Sequence, residues 1–272
     1  MFASFLITFR EGLEAFLLVG IILSYMHKLG VRHFNKYVYL GVVLGLIVSL
    51  GLAFVFQVVI DQFSNEHYQH LLMIFILLFA TLVLSYMAIW MHKQAKAQVD
   101  HVKKQLEFHI SSGNLWGMVF LAFIAVLREG FETVLFFSAL MYSGQGVTLE
   151  NGLIGASIGL IASIVLVWAM MRGTRQVPIA PFFKYTSLLI IIIAAGLFSS
   201  AINMLQAIDV VPIVVEQIFN ISFILDDQGT FGTFMRALFG YNASPTLIQF
   251  TSWALYLGLF LSFWSRGYAQ KA

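Results

Sequence analysis

No cysteine occurs in the 272 residues. That excludes a disulfide framework and any thiolate metal site. Charge is also scarce: Asp, Glu, Lys and Arg make up 10% of the chain, against 60% hydrophobic residues. No water-soluble domain of this length needs so much apolar residue, so the composition describes a polytopic membrane protein. No basic segment precedes the first apolar run, so no cleavable signal peptide is expected. Nucleophile–base spacings and cofactor fingerprints are missing too, which argues against an enzyme.

What is there is a series of long apolar runs. Seven reach spanning length, at about 2–26, 37–60, 70–92, 116–142, 152–172, 184–206 and 246–265. Each is near the ~20 residues that a hydrocarbon core of ~30 Å requires. Backbone satisfaction in lipid makes them helices, and the expected fold is all-α. The connections sort by charge. Lys28, Arg32, Lys36, Lys93, Lys96, Lys103, Lys104, Arg172, Arg175 and Lys184 lie in alternate connections, with Arg266 and Lys271 in the tail. The opposite connections hold only Arg236 among Lys and Arg. The positive-inside rule then puts the N-terminus outside and the C-terminus inside, with seven crossings. Asp61, Glu66, Glu150, Asp209, Glu216, Asp226 and Asp227 fall on the outer face. Such a face concentrates cations near an entrance, or is simply solvated.

Two of the runs carry charges in their interior. Arg10-Glu11-Gly12-Leu13-Glu14 interrupts the first, and Arg128-Glu129-Gly130-Phe131-Glu132 the fourth. On a helix, residues three and four apart share a face, so each pentad presents its arginine and both carboxylates together. A charge at mid-membrane costs about 2.5–3.5 kcal/mol, so six cannot stay unpaired. Four carboxylates against two guanidinium groups leave a formal charge of −2. That excess calls for a cation or protons. Glutamate oxygens are hard ligands suited to hard cations. Arginine orients a carboxylate and balances the empty site. Gly12 and Gly130 admit a neighbouring helix or an ion, or mark local unwinding. The bland alternative is a pair of interhelical ion-pair clamps.

The pentads lie 118 positions apart, and a second match follows them. Gly41, Gly45 and Ser49 repeat at the spacing of Gly155, Gly159 and Ser163, a small-residue stripe that permits close helix approach. The third and sixth runs match weakly, around Ser85 and Ser200. Two repeats of three helices, an odd number, are inserted in opposite senses, and inverted repeats with a site near the midplane are a transporter plan. Repeat 1 covers about 1–92, a cytoplasmic connection 93–115, repeat 2 about 116–206, an outer loop 207–245, and a seventh helix 246–266. The 93–115 connection extends the third helix or forms a short amphipathic helix. The outer loop is apolar from Ile208 to Leu225, broken by Pro212, Glu216 and Asn220, and lies on the surface or dips in.

Softer ligands form no set. His27, His33, His92, His101 and His109 fall at inner interfaces or loops, and His67 and His70 outside. Met87 and Met91 suit packing. Trp90, Trp116, Trp253 and Trp264 suit interfacial belts.

The doubled Arg-Glu-Gly-x-Glu pentad resembles that of the oxidase-dependent iron permeases, the Ftr/EfeU type. Gly240-Tyr241-Asn242-Ala243-Ser244-Pro245-Thr246 is similar to that family's Gly-Tyr-x-x-x-Pro-Thr segment. The resemblance covers nearly the whole chain. It implies seven spans, a plasma (inner) membrane location and iron as transported substrate rather than cofactor. It implies that Glu11, Glu14, Glu129 and Glu132 coordinate iron with Arg10 and Arg128 in support. It also implies an outer entrance, for which Asp226 and Asp227 are the nearest residues. Iron would pass as the ferric ion after oxidation by a separate extracytoplasmic oxidase or delivery protein. The partners are then iron ions, that protein and membrane lipid, with no nucleic acid. The alternatives are a transporter of another cation, such as manganese or lead, and a proton-coupled carrier of a different solute.

Overall fold

The computed structural model describes residues 2–62, 66–143, 148–172, 179–227 and 229–269, with the backbone alone at 61–62, 66, 90–99, 179–183, 230, 237–238 and 267–269. Arg175 and Lys271, and the side chains of Asp61, Glu66, Trp90, Met91, His92, Lys93 and Lys96, lie outside the described residues. The described chain is helical, without strands. The helices are α1 (Phe2–Lys28), α2 (Asn35–Gln62), α3 (Glu66–Ser111), α4 (Leu115–Tyr142), α5 (Leu149–Arg172), α6 (Ile179–Ala207), α7 (Thr230–Phe239) and α8 (Leu247–Ala269).

Five stretches, 32–60, 67–89, 149–172, 184–207 and 247–266, are long and apolar enough to cross a bilayer. The helices α1 and α4 match them in length, at 27 and 28 residues, and differ by carrying the pentads. This is the architecture of a multi-pass membrane protein. The exposed faces are apolar, as a lipid-facing surface requires: Leu50 and Phe54 on α2, Ile161 and Val165 on α5, Leu255 on α8.

Two buried clusters fix the directions of the helices. One joins Ile22 and Met26 of α1 to Val38 of α2, Val102 and Leu106 of α3, and Met118 and Ala122 of α4. The other joins Ala3 and Ile7 of α1 to Ile60 of α2, Ile76 of α3, Ala139 of α4 and residues of α6. So α1 runs antiparallel to α2 and α4. One end of the bundle gathers Lys28, Arg32, Lys36, Arg172 and Arg266; the other gathers Glu150, Asp209, Glu216, Asp226 and Asp227. The bundle thus has a basic end and an acidic end.

The helices pair across the sequence. Most extensively, α1 packs on α5, α2 on α4, and α3 on α6. The small-residue stripes make these contacts possible. A Cβ on Gly159 would press against the backbone of Phe5 and Phe9 in α1, and one on Gly45 against Val126 and the Phe123 carbonyl in α4.

The 93–115 connection is no separate helix: α3 runs 46 residues without a break. At 1.5 Å per residue that is about 69 Å, well beyond a bilayer core. Its distal turns are held by Val102 and Leu106, and by Tyr25 of α1 donating to Glu107. Asn114 then caps α4, accepting from the Gly117 N–H at 3.0 Å. Local unwinding at the pentad glycines does not occur, since α1 and α4 are continuous through both. The outer loop contains α7, whose ten residues are too few to span. Trp116 is exposed, whereas Trp253 donates to the Phe239 carbonyl and Trp264 to Ser187 Oγ.

Candidate metal centre

The pentads meet where α1 crosses α4. In α1 the guanidinium of Arg10 lies 2.5 Å from Glu11 Oε1 and 2.9 Å from Glu14 Oε1, all three side chains being buried. Met87 Sδ of α3 stands 4.0 Å from Arg10 Nη1, so this methionine does more than pack. In α4 Arg128 Nε donates to Glu129 Oε1 at 2.9 Å, and lies 4.0 Å from Glu132 Oε1. Arg128 is 48% exposed where Arg10 is 2%, so equivalent residues sit in unlike surroundings.

One oxygen each from Glu11, Glu14 and Glu129 lies within 4.8 Å of the others. Metal–oxygen distances of ~2–2.5 Å bridge oxygens about that far apart. Glu132 stands outside this trio, beside Arg128. Four buried carboxylate oxygens accept no hydrogen bond among the described residues: Glu11 Oε2, Glu14 Oε1, Glu129 Oε2 and Glu132 Oε2. Glu14 Oε1 is close to Arg10, but the approach lacks hydrogen-bond alignment. Buried carboxylate oxygens without partners are unfavourable unless something else satisfies them. A cation seated among them would do so.

The pentad glycines serve helix packing. A Cβ on Gly12 would lie 2.5 Å from Ser163 Oγ of α5, and one on Gly130 would overlap Ser49 Oγ of α2. Both serines turn their hydroxyls onto their own helix, Ser163 to Leu160 O and Ser49 to Gly45 O. Each stripe thus ends against the pentad of the other repeat. Beside this crossing lies a cavity of about 610 Å³ between α1, α2, α4 and α5, with Glu11 and Glu129 in its wall. Thr8 and Thr133 also line it, and nothing in the pentad pattern pointed to them. Their signal was helical spacing, Thr8 one turn from Gly12 and Thr133 one turn from Glu129.

Asp226 and Asp227 lie in the loop before α7, away from the trio. Asp227 Oδ1 accepts from the Ala243 N–H at 2.9 Å, and Asp226 is exposed. The Gly240–Thr246 segment is a fastening. Gly240 takes a left-handed φ of 64° and packs on Gly196 of α6. Tyr241 donates to the Leu225 carbonyl, and Thr246 to Gln206 Oε1 while accepting from Gln249 N–H. Burial first, then the charges of Asp227 and Asp226, push the Tyr241 hydroxyl above its ordinary range and keep it a neutral donor.

Buried carboxylates at a helix crossing, in a bundle that spans a membrane, mark a transporter of cations or protons. The comparisons name the kind. The chain belongs to the Iron permease FTR1 family, whose model matches residues 1–267. It is 32% identical over 259 residues to the Ferrous iron permease EfeU of Yersinia pestis, covering 94% of this chain and 90% of the relative. It is 33% identical over 263 residues to the Ferrous iron permease EfeU of Escherichia coli O157:H7, covering 94% of this chain and 92% of the relative. No solved structure matches. The family is one of permeases, so this chain is an iron transporter and not an enzyme.

Proposed function

We propose that the chain imports iron across the plasma membrane through a carboxylate site between α1 and α4. Glu11, Glu14 and Glu129 ligate the ion, Glu132 completes or relays the set, and Arg10 and Arg128 offset the charge of the empty site. The observation that carries this reading is the convergence of three buried carboxylates, with Glu11 Oε2 and Glu129 Oε2 accepting no hydrogen bond among the described residues. The pairing of α1 with α5 and α2 with α4 supports an inverted duplication of 1–92 and 116–206, joined by 93–115. With the outer loop 207–245 and the last helix, 246–266, this makes seven crossings, the acidic end outside and the basic end inside. Asp226 and Asp227 then lie at the outer entrance.

Two readings of the carried ion differ. Ferric iron is the harder ion and suits all-oxygen ligation, which requires a separate oxidase or delivery protein at the acidic end. Ferrous iron balances a site of formal charge −2, and the relatives bear ferrous iron in their names. The deciding experiment is uptake into proteoliposomes holding only this protein and membrane lipid, supplied with ferrous or ferric iron. Glu14→Gln and Glu132→Gln are expected to abolish uptake. Intact uptake in both variants at normal protein incorporation would falsify the pathway. Manganese or lead carried in place of iron would move the substrate, and proton flux without metal would move the mechanism.

A further inference from the structure

The cavity wall is divided by polarity, and the division follows the axis of the bundle. Glu11, Gly12, Ser49, Glu129 and Gly130 mark one level. Toward the basic end the wall consists of Ala15, Phe16, Val19, Val42, Leu46 and Val126, with no polar side chain. Toward the acidic end apolar residues such as Leu50, Phe137 and Leu153 still predominate, but every further polar side chain of the wall lies there: Thr8, Gln57, Thr133, Ser138, Tyr142 and Ser157. Below the basic half, Ile22, Met26, Val38, Met118 and Ala122 close the space as a packed apolar cluster.

Registering one pentad on the other makes the asymmetry sharper. The shift of 118 places Thr8 on Val126, Ser4 on Ala122, Ala15 on Thr133 and Gly20 on Ser138. At all four positions the hydroxyl belongs to whichever helix points that position toward the acidic end. An inverted repeat kept for packing alone has no reason to break symmetry in one direction. Ser4, one turn before Thr8 and outside the cavity wall, is buried to 1% exposure, and its Oγ has no hydrogen-bond partner among the described residues. Thr133 Oγ1 donates to the Glu129 carbonyl and so keeps its oxygen lone pairs available.

We propose that the hydroxyls of the cavity wall form the access path of the ion, running from the acidic end past Thr8 and Thr133 to Glu11 and Glu129. Hydroxyl and amide oxygens replace water lost by a hard cation as it descends, before carboxylates take it. The apolar half, which includes Val19 and Val126 and ends in the packed cluster of Ile22, Met26, Val38, Met118 and Ala122, is the closed inner gate, since an apolar lining excludes a hydrated ion. This rests on the carboxylate reading above and adds the direction of access and the residues that line it.

The lack of native cysteine makes the test clean. Single variants Thr8→Cys, Thr133→Cys, Val19→Cys and Val126→Cys are exposed to a membrane-impermeant cationic methanethiosulfonate from either side. Phe223→Cys, 82% exposed at the acidic end, and Phe108→Cys, 66% exposed at the basic end, report sidedness. The expected result is labelling of the two threonine positions from the Phe223 side alone, slowed at least several-fold by iron, and no labelling of the two valine positions from that side. Equal labelling of Val126→Cys from the Phe223 side, or labelling of Thr8→Cys only from the Phe108 side, would overturn the proposal. So would unlabelled threonine positions beside a labelled Phe223→Cys. Thr8→Val provides a second readout: iron uptake slows several-fold while equilibrium iron binding to the purified protein is unchanged. Lost binding in Thr8→Val would make it a ligand rather than a path residue. Glu14→Gln separates the two levels: retained iron binding and uptake there would defeat the carboxylate reading, whatever the labelling shows.

Discussion

The two pentads have nearly the same sequence and do not have the same structure. Arg10 is enclosed, within 2.9 Å of both its glutamates and against Met87. Arg128 holds Glu129 closely, lies 4.0 Å from Glu132, and leaves about half its side chain exposed. A duplicated motif therefore supplies two different parts. The α1 copy is a fully buried ion pair, and the α4 copy holds its second glutamate less closely and keeps its arginine half exposed. The difference teaches that an internal repeat fixes which chemistries meet, while the surrounding helices decide which copy is rigid.

Replacing the arginines breaks that comparison most directly. Arg10→Ala leaves Glu11 and Glu14 buried without their cation, and removing one partner of a buried pair costs about 3–5 kcal/mol. Arg128→Ala removes a guanidinium that is half exposed and 4.0 Å from Glu132, and the expected cost is smaller. Thermal unfolding in detergent is expected to show a large fall for the first and a small one for the second. Equal falls would mean that the exposure of Arg128 has no energetic consequence, and that the pentads are equivalent after all.

The glycines come next, and here the two copies differ in detail. Gly12→Ala brings a methyl group 2.5 Å from Ser163 Oγ and 3.2 Å from its Cβ. Removing the hydroxyl with Ser163→Ala leaves a contact that can relax. Gly130→Ala brings a methyl group 2.6 Å from Ser49 Cβ, which Ser49→Ala retains. Overpacking of this kind costs about 1–3 kcal/mol. Ser163→Ala is expected to rescue Gly12→Ala, whereas Ser49→Ala is expected to leave Gly130→Ala destabilised. Double-mutant cycles on unfolding temperature read the outcome, and rescue of both pairs would show that α2 gives way as easily as α5.

Much of this was legible in the sequence for a physical reason. Charge inside an apolar run is so unfavourable that Arg10, Glu11, Glu14 and their counterparts stand out without an alignment. The all-helical membrane class followed from run length, because a bilayer sets a minimum, whereas α7 is too short to show as a run and α3 continues well past its apolar stretch. The partners of the glycine stripes did not follow. The stripes through Gly41 and Gly155 pointed to close packing but not to its partners, and only the structure brings each onto the other repeat's pentad. Thr8, Thr133 and Ser4 escaped because a hydroxyl in a membrane helix normally bonds its own backbone and carries no signal by itself. The continuity of α3 through 93–115 was open because lysine-rich sequence suits either an extended helix or a separate one.

The acidic loop offers the smallest effect and a cleaner distinction. Asp227 has two attributes, a negative charge near the acidic end and an oxygen that accepts from the Ala243 N–H. Asp227→Ala removes both, and losing the acceptor costs about 1–2 kcal/mol. Asp227→Asn removes only the charge, because the amide oxygen still accepts. Asp226→Ala, at an exposed position, is expected to stay within about 0.5 kcal/mol. If Asp227 serves only to fasten the Gly240–Thr246 segment, then Asp227→Ala lowers the unfolding temperature and Asp227→Asn leaves both stability and uptake alone. If the pair gathers cations, Asp226→Asn and Asp227→Asn slow uptake at limiting iron with no change in unfolding temperature, and the loss fades as iron saturates or salt rises. We expect the second pattern, weaker than any change at the pentads, since a charge in water acts on the arrival of the ion and not on its coordination.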